Sequence, residues 1–206
     1  FIRKLDDYMK LRYGSRIRTL DYRNKDKPKW DFLVMKITLE NGRTMYVDGC
    51  FNPFFILWFK KLMSRPSCYG CPFTAQTGIA DITLADLWGV QTRNPELYGQ
   101  DKGTSLVFCN TEKGAQTFAL AQNMLYGHRL NPRTILEYQT RLREPVKPEP
   151  QRENFMKDLR CLSYRELCKK WAEPPSLRLL WSKYVWGNRQ KVFVWSIMHR
   201  RQKRGR

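Results

Sequence analysis

Apolar and polar positions at the start of the chain alternate in threes and fours. Ile2, Leu5, Tyr8, Met9 and Arg12 mark a helix over Phe1–Tyr13, and Gly14 stops it as a C-terminal cap. Ile17–Tyr22 reads as a short strand, and Asn24–Pro28 as a polar loop. Trp30–Glu40 alternates as a strand does, Asn41-Gly42 is a strong hairpin signal, and Arg43–Val47 returns antiparallel. Pro53–Met63 is apolar nearly all round, which predicts a buried helix with proline in its first turn.

A cysteine-bearing loop separates that helix from a strand over Ala80–Trp88. Gln91–Lys102 reads as a polar loop and Leu106–Asn110 as a buried strand. Thr111-Glu112-Lys113-Gly114 opens a helix through Met124 whose inner face is Phe118, Leu120, Ala121 and Met124. His128–Leu130 is a further strand candidate, and Asn131-Pro132 starts another helix. Lys147–Pro150 is a stiff connector, followed by helices near Arg152–Asp158 and Ser163–Trp171, the second with Ser163 and Glu166 as a capping pair. Pro174-Pro175 ends the folded body. The pattern predicts an α/β (or α+β) fold: a mixed sheet with flanking helices in a domain over 1–173, then a helical, basic, Trp-rich tail over 174–206.

The chain opens on Phe1, already inside an amphipathic pattern, which predicts a piece of a longer protein. No apolar run is long enough to cross a membrane and no signal-peptide pattern opens the sequence, so a cytoplasmic setting is expected. The six cysteines are irregularly spaced, which argues for reduced thiols over a disulfide scaffold. The net charge is +19, but from Ser176 onward there are Lys and Arg residues and no acid, so much of the excess belongs to the tail. That placement argues against nucleic acid as the main partner and makes the tail a candidate for peripheral contact with the inner face of a membrane.

Cys68 and Cys71 are the sharpest chemical feature. Two thiolates at C-x-x-C spacing can converge on one zinc ion or one edge of an iron–sulfur cluster, yet four ligands are needed and no second such pair exists. His128 and His199 have no Cys or Asp constellation around them, so a hydrolytic triad is unsupported, and no phosphate loop of the G-x-x-x-x-G-K kind occurs. A basic zinc-binding module engaging nucleic acid or an anionic surface is the alternative reading, and a non-catalytic scaffold a third.

R-P-S-C-Y-G-C-x-F at Arg65, A-D-I-T-L-A-D-L-W-G-V at Ala80, D-K-G-T-S-L-V at Asp101 and N-T-E-K-G at Asn110 occur in that order. Together they resemble the C-terminal domain of the coenzyme F₄₂₀ hydrogenase/dehydrogenase beta subunit family, in its bacterial branch, whose members often carry an N-terminal ferredoxin domain. The resemblance covers roughly residues 1–170. It implies an iron–sulfur flavoprotein oxidoreductase that takes electrons from a ferredoxin or a fused ferredoxin domain, through a 4Fe-4S cluster, to FAD or FMN and then to an unassigned substrate. It also implies a link to surface-polysaccharide biosynthesis. Cys68 and Cys71 are the implied metal ligands, with the other cluster cysteines upstream of Phe1 in a missing N-terminal part. Asp81, Thr83, Asp86, Trp88 and Gly89, with Lys102, Gly103, Thr104 and Ser105, are the implied flavin-binding positions. For each there is a plainer role: Asp81 as a turn cap, Trp88 as core, Gly103–Ser105 as an ordinary turn into a strand. The sequence departs from the family in lacking a basic residue over Thr74–Ala80, which bears on flavin affinity and cluster potential. No residue stands out as a catalytic acid or base.

Overall fold

The computed structural model describes residues 1–26, 32–74, 79–98 and 103–204; of Tyr138, Arg141, Arg189 and residues 199–204 it describes the backbone alone. In chain order the elements are α1 (Ile2–Tyr13), β1 (Ile17–Asp21), β2 (Met35–Leu39), β3 (Thr44–Val47), α2 (Pro53–Phe59), β4 (Ile82–Asp86), α3 (Val90–Arg93) and β5 (Ser105–Cys109). Then follow α4 (Glu112–Ala121), α5 (Pro132–Tyr138), α6 (Arg152–Cys161), α7 (Tyr164–Trp171), α8 (Leu177–Leu180) and α9 (Asn188–Arg204). They form two compact units, Phe1–Ser64 with Pro148–Gly187, and Arg65–Lys147 with Asn188–Arg206. Helices flank small sheets, as the α/β (or α+β) reading requires. The strand pairs are antiparallel in both units.

In the first unit β2 is central, between β1 and β3. Its alternation buries Met35, Ile37 and Leu39 on one face, where they meet Leu5 and Met9 of α1 and Phe55 of α2. Gly14 ends α1 in the left-handed region (φ 67°), donating its N–H to the Lys10 carbonyl. Gly42 does the same service in the β2–β3 turn (φ 84°). The strand expected from Trp30 forms from Met35; Trp30 itself lies outside the described residues.

The α2 helix stops short of the expected Met63, because Lys61 adopts a left-handed conformation (φ 60°). Its N–H donates to the Trp58 carbonyl and that of Leu62 to Leu57, the paired bonds of a Schellman ending. Leu57 and Leu62 then enter one core with Phe155, Leu167 and Trp171 from α6 and α7. Ser163 and Glu166 form the expected capping box at the start of α7. Past the prolines, Lys183 Nζ lies 3.2 Å from Asp48 Oδ1 and 3.1 Å from Cys50 Sγ.

In the second unit β4 pairs with β5, and a core of Leu87, Val90, Tyr98, Leu106 and Ile135 lies beneath them. The segment expected as a polar loop contributes α3 and a single 3₁₀ turn at Pro95–Leu97, because Val90 and Tyr98 are core residues. The Asn131 side chain caps α5 as anticipated. Two expectations are overturned in this unit. His128–Leu130 forms no strand, and α4 does not bury the face assigned to it: Leu120 and Met124 are exposed. Only Gly114 of α4 is buried.

Candidate functional site

All the candidate positions fall in the second unit. Arg65, Pro66 and Ser67 lead into a single 3₁₀ turn at Pro66–Cys68, where the Cys68 N–H donates to the Arg65 carbonyl at 2.9 Å. The Cys68 carbonyl accepts from the Val146 N–H (3.2 Å), and the Cys71 carbonyl from the Thr74 hydroxyl (3.0 Å). Both thiols are free and half-buried. Between them in sequence, the Tyr69 hydroxyl is buried without a hydrogen-bond partner among the described residues. Such an orphaned group is costly unless something further satisfies it.

Among the described residues, no group of three or more His, Cys, Asp or Glu side chains gathers in a way that could hold a metal. A four-ligand metal or cluster site is thus not complete among the described residues, where Cys68 and Cys71 could supply two of its ligands at most.

The hairpin places the other candidates at two ends. At one end, the β4–β5 register sets Asp86 opposite Ser105, and the Leu87 N–H donates to the Thr104 carbonyl at 2.9 Å. This brings Asp86, Trp88 and Gly89 together with Gly103, Thr104 and Ser105, two clusters apart in sequence. Gly89 (φ 76°) and Gly103 (φ 82°) both sit in the left-handed region, which a side chain would strain. The Thr104 hydroxyl donates to the Leu97 carbonyl. The carbonyl of Trp88, whose side chain is exposed, accepts from Gln139 Nε2 at 3.3 Å. Lys102 lies outside the described residues.

Asp81 and Thr83 lie at the other end. The Thr111 hydroxyl donates to Asp81 Oδ1 at 2.5 Å, and Lys113 Nζ is 3.3 Å from Asp81 Oδ2. These contacts, the Thr111 bond first, hold the Asp81 carboxyl below the usual range. Asn110 Nδ2 donates to both the Thr83 hydroxyl (2.8 Å) and the Ala80 carbonyl (2.9 Å). A Cβ on Gly114 would lie 2.1 Å from the Asp81 carbonyl oxygen, so the glycine is what lets α4 close onto β4. Asp81 and Thr83 thus splice strand to helix.

The alternation also separates them by face. Thr83 and Ala85 pair with Phe108 and Leu106 on the core side, while Leu84 and Asp86 lie on the opposite side with Val107 and Ser105. Asn110 and Gln139 are the residues that sequence reasoning missed. Asn110 stands in the sequence as the end of the Leu106–Asn110 strand and the start of N-T-E-K-G, with no site role marked, and Gln139, a buried amide, carries no signal. His128 is exposed, and its Nε2 lies 3.2 Å from the Tyr126 hydroxyl.

No curated protein and no solved structure matches the chain. A family profile for the C terminus of the coenzyme F₄₂₀ hydrogenase/dehydrogenase beta subunit matches residues 2–129, more than half of the length. That span takes in the cysteine loop, both strands of the hairpin and α4. The chain therefore belongs to the coenzyme F₄₂₀ hydrogenase/dehydrogenase beta subunit family, as the C-terminal oxidoreductase domain of that type.

Proposed function

We propose that this chain carries electrons as part of a cytoplasmic iron–sulfur flavoprotein. Cys68 and Cys71 furnish two thiolates to a 4Fe-4S cluster, and protein outside this chain furnishes the rest. The observation that carries this reading is the pair of free, half-buried thiols on the Arg65–Cys71 loop of a chain with this family membership. The Asp86 end of the hairpin holds a flavin, FAD or FMN. Gly89 and Gly103 allow close approach of backbone there, and Thr104 and Ser105 supply hydroxyls beside it. Asp81 and Thr83 act as positioning residues, fixing α4 on β4 from the far end. When bound, the two groups supply one-electron relay and flavin reduction, with the protein setting position and potential. A ferredoxin or a fused ferredoxin domain is the donor, and the acceptor belongs to surface-polysaccharide biosynthesis.

The test is the absorbance spectrum with iron, sulfide, zinc and flavin content of the full-length protein, purified without oxygen, beside Cys68→Ala and Cys71→Ala. A brown protein with flavin bands that loses one cluster's iron in each variant is the expected result. Zinc in place of iron, without flavin, overturns it in favour of a zinc-binding module. Neither metal nor flavin leaves a scaffold.

A further inference from the structure

Helix α9 belongs to the second unit, where Val192 packs against the core of Leu87, Val90, Tyr98, Leu106 and Ile135. Its other side is apolar too. Phe193 is 64% exposed, Val194 38%, Ile197 40% and Met198 59%. Positions i, i+1, i+4 and i+5 fall on one side of a helix, so these four side chains form one stripe in water.

The charges flanking the stripe are of one sign. The helix sequence contains Arg189, Lys191, Arg200, Arg201, Lys203 and Arg204 and no acid. Arg201 and Arg204 follow Ile197 by four and seven residues in the sequence of this helix. A helix that packs one side against its own unit gains nothing for that unit by keeping four apolar side chains exposed on the other.

We propose that this outer face of α9 lies on an anionic membrane surface. The apolar side chains enter the boundary between headgroups and acyl chains, and the lysines and arginines meet the lipid phosphates. Bare polyanions such as nucleic acid would engage the cations but give the apolar stripe no place to go. Among the described residues no helix is long and apolar enough to cross a membrane, so the contact is with the surface. The proposal is independent of the cluster and flavin, and stands or falls without them.

Co-sedimentation of the full-length protein with vesicles tests it, comparing phosphatidylcholine alone with phosphatidylcholine containing phosphatidylglycerol, at low and raised salt. Binding is expected only with the anionic lipid and is expected to weaken with salt. The double variant Phe193→Glu/Ile197→Glu should bind at least about tenfold more weakly, since each change removes an apolar side chain that the membrane would bury. Leu120→Glu, at another exposed apolar position of the same unit, should bind as the parent does. Circular dichroism checks that both variants remain folded. Equal binding to neutral vesicles, no vesicle binding at low salt, or equal damage from Leu120→Glu overturns the proposal. So does binding to a single-stranded oligonucleotide that the double variant retains while no vesicle is bound.

Discussion

The two units of this chain use their apolar residues differently. Of the largest fully buried side chains among the described residues, Phe55, Phe155, Met35, Leu39, Leu57, Leu62 and Leu167 belong to the first unit, and only Leu87 and Val90 to the second. The first unit exposes large apolar residues as well, such as Trp58 and Phe59, but they lie over a filled core. The second leaves Phe73, Ile79, Leu84, Leu120, Met124 and Tyr126 exposed around a small one. Its elements are joined by polar links instead: Thr111 to Asp81, Asn110 to Thr83, Gln139 to the Trp88 carbonyl. A region built in this way gains stability from whatever binds it. The candidate cofactor positions all lie in that unit, so the scaffold and the site are divided between the two halves of one chain.

The largest expected effect tests the scaffold side. Phe155 is fully buried and meets Trp171 edge-to-face at 5.6 Å between ring centroids. Phe155→Ala should cost about 3–5 kcal/mol in denaturant unfolding. Ile135→Ala, in the smaller core of the second unit, should fall near the low end of about 2–5 kcal/mol, because exposed surroundings collapse more easily onto the gap. Equal losses would break the contrast between the units.

A middle-sized effect tests the polar splice. The added methyl of Gly114→Ala would press on the backbone oxygen of Asp81, 2.1 Å away, and backbone on both sides must yield. A destabilisation of about 1–3 kcal/mol is expected for such overpacking. Gly127→Ala, with nothing near its added methyl, should be close to neutral. Flavin retained per folded protein should drop for Gly114→Ala alone, which would sharpen the link between the splice and the site.

Local signals made much of the first unit legible: the period of α1, Gly14, the Asn41-Gly42 turn, and the Ser163–Glu166 box each act over a few residues. Where a local rule was met by an uncommon residue the reading overran. Lys61 takes the left-handed position that glycine usually fills, so α2 ends before the Met63 that its apolar pattern predicts. In the second unit the decisive contacts are distant. Asp81 and Thr111 are 30 positions apart, and the register that sets Asp86 opposite Ser105 has no mark in spacing alone. The face of α4 differs for a related reason: the helix approaches β4 through the missing side chain of Gly114, so Phe118 and Ala121, four and seven residues on, are half-buried while Leu120 and Met124 are exposed. The cysteine pair is plain in the sequence, and no third ligand joins it among the described residues.

The smallest effect concerns pH. Thr111 and then Lys113 hold the folded Asp81 carboxyl below its ordinary value of 3.8. A group depressed on folding contributes stability above the unfolded value, and that contribution is lost as pH falls through the lower, folded value. Comparing the parent with Asp81→Asn by denaturant unfolding should therefore show a small deficit near neutral pH. The deficit should shrink as pH drops below about 4, where the parent's own carboxyl becomes protonated. Because Asp81 is solvent-exposed, added salt should shrink it too, through the Lys113 pair. The amide oxygen of the variant still accepts from Thr111, so the strand-to-helix splice should survive and flavin content should hold. A deficit that grows in acid would mean that folding raises the Asp81 carboxyl instead, and loss of flavin would mean that Asp81 is more than a splice.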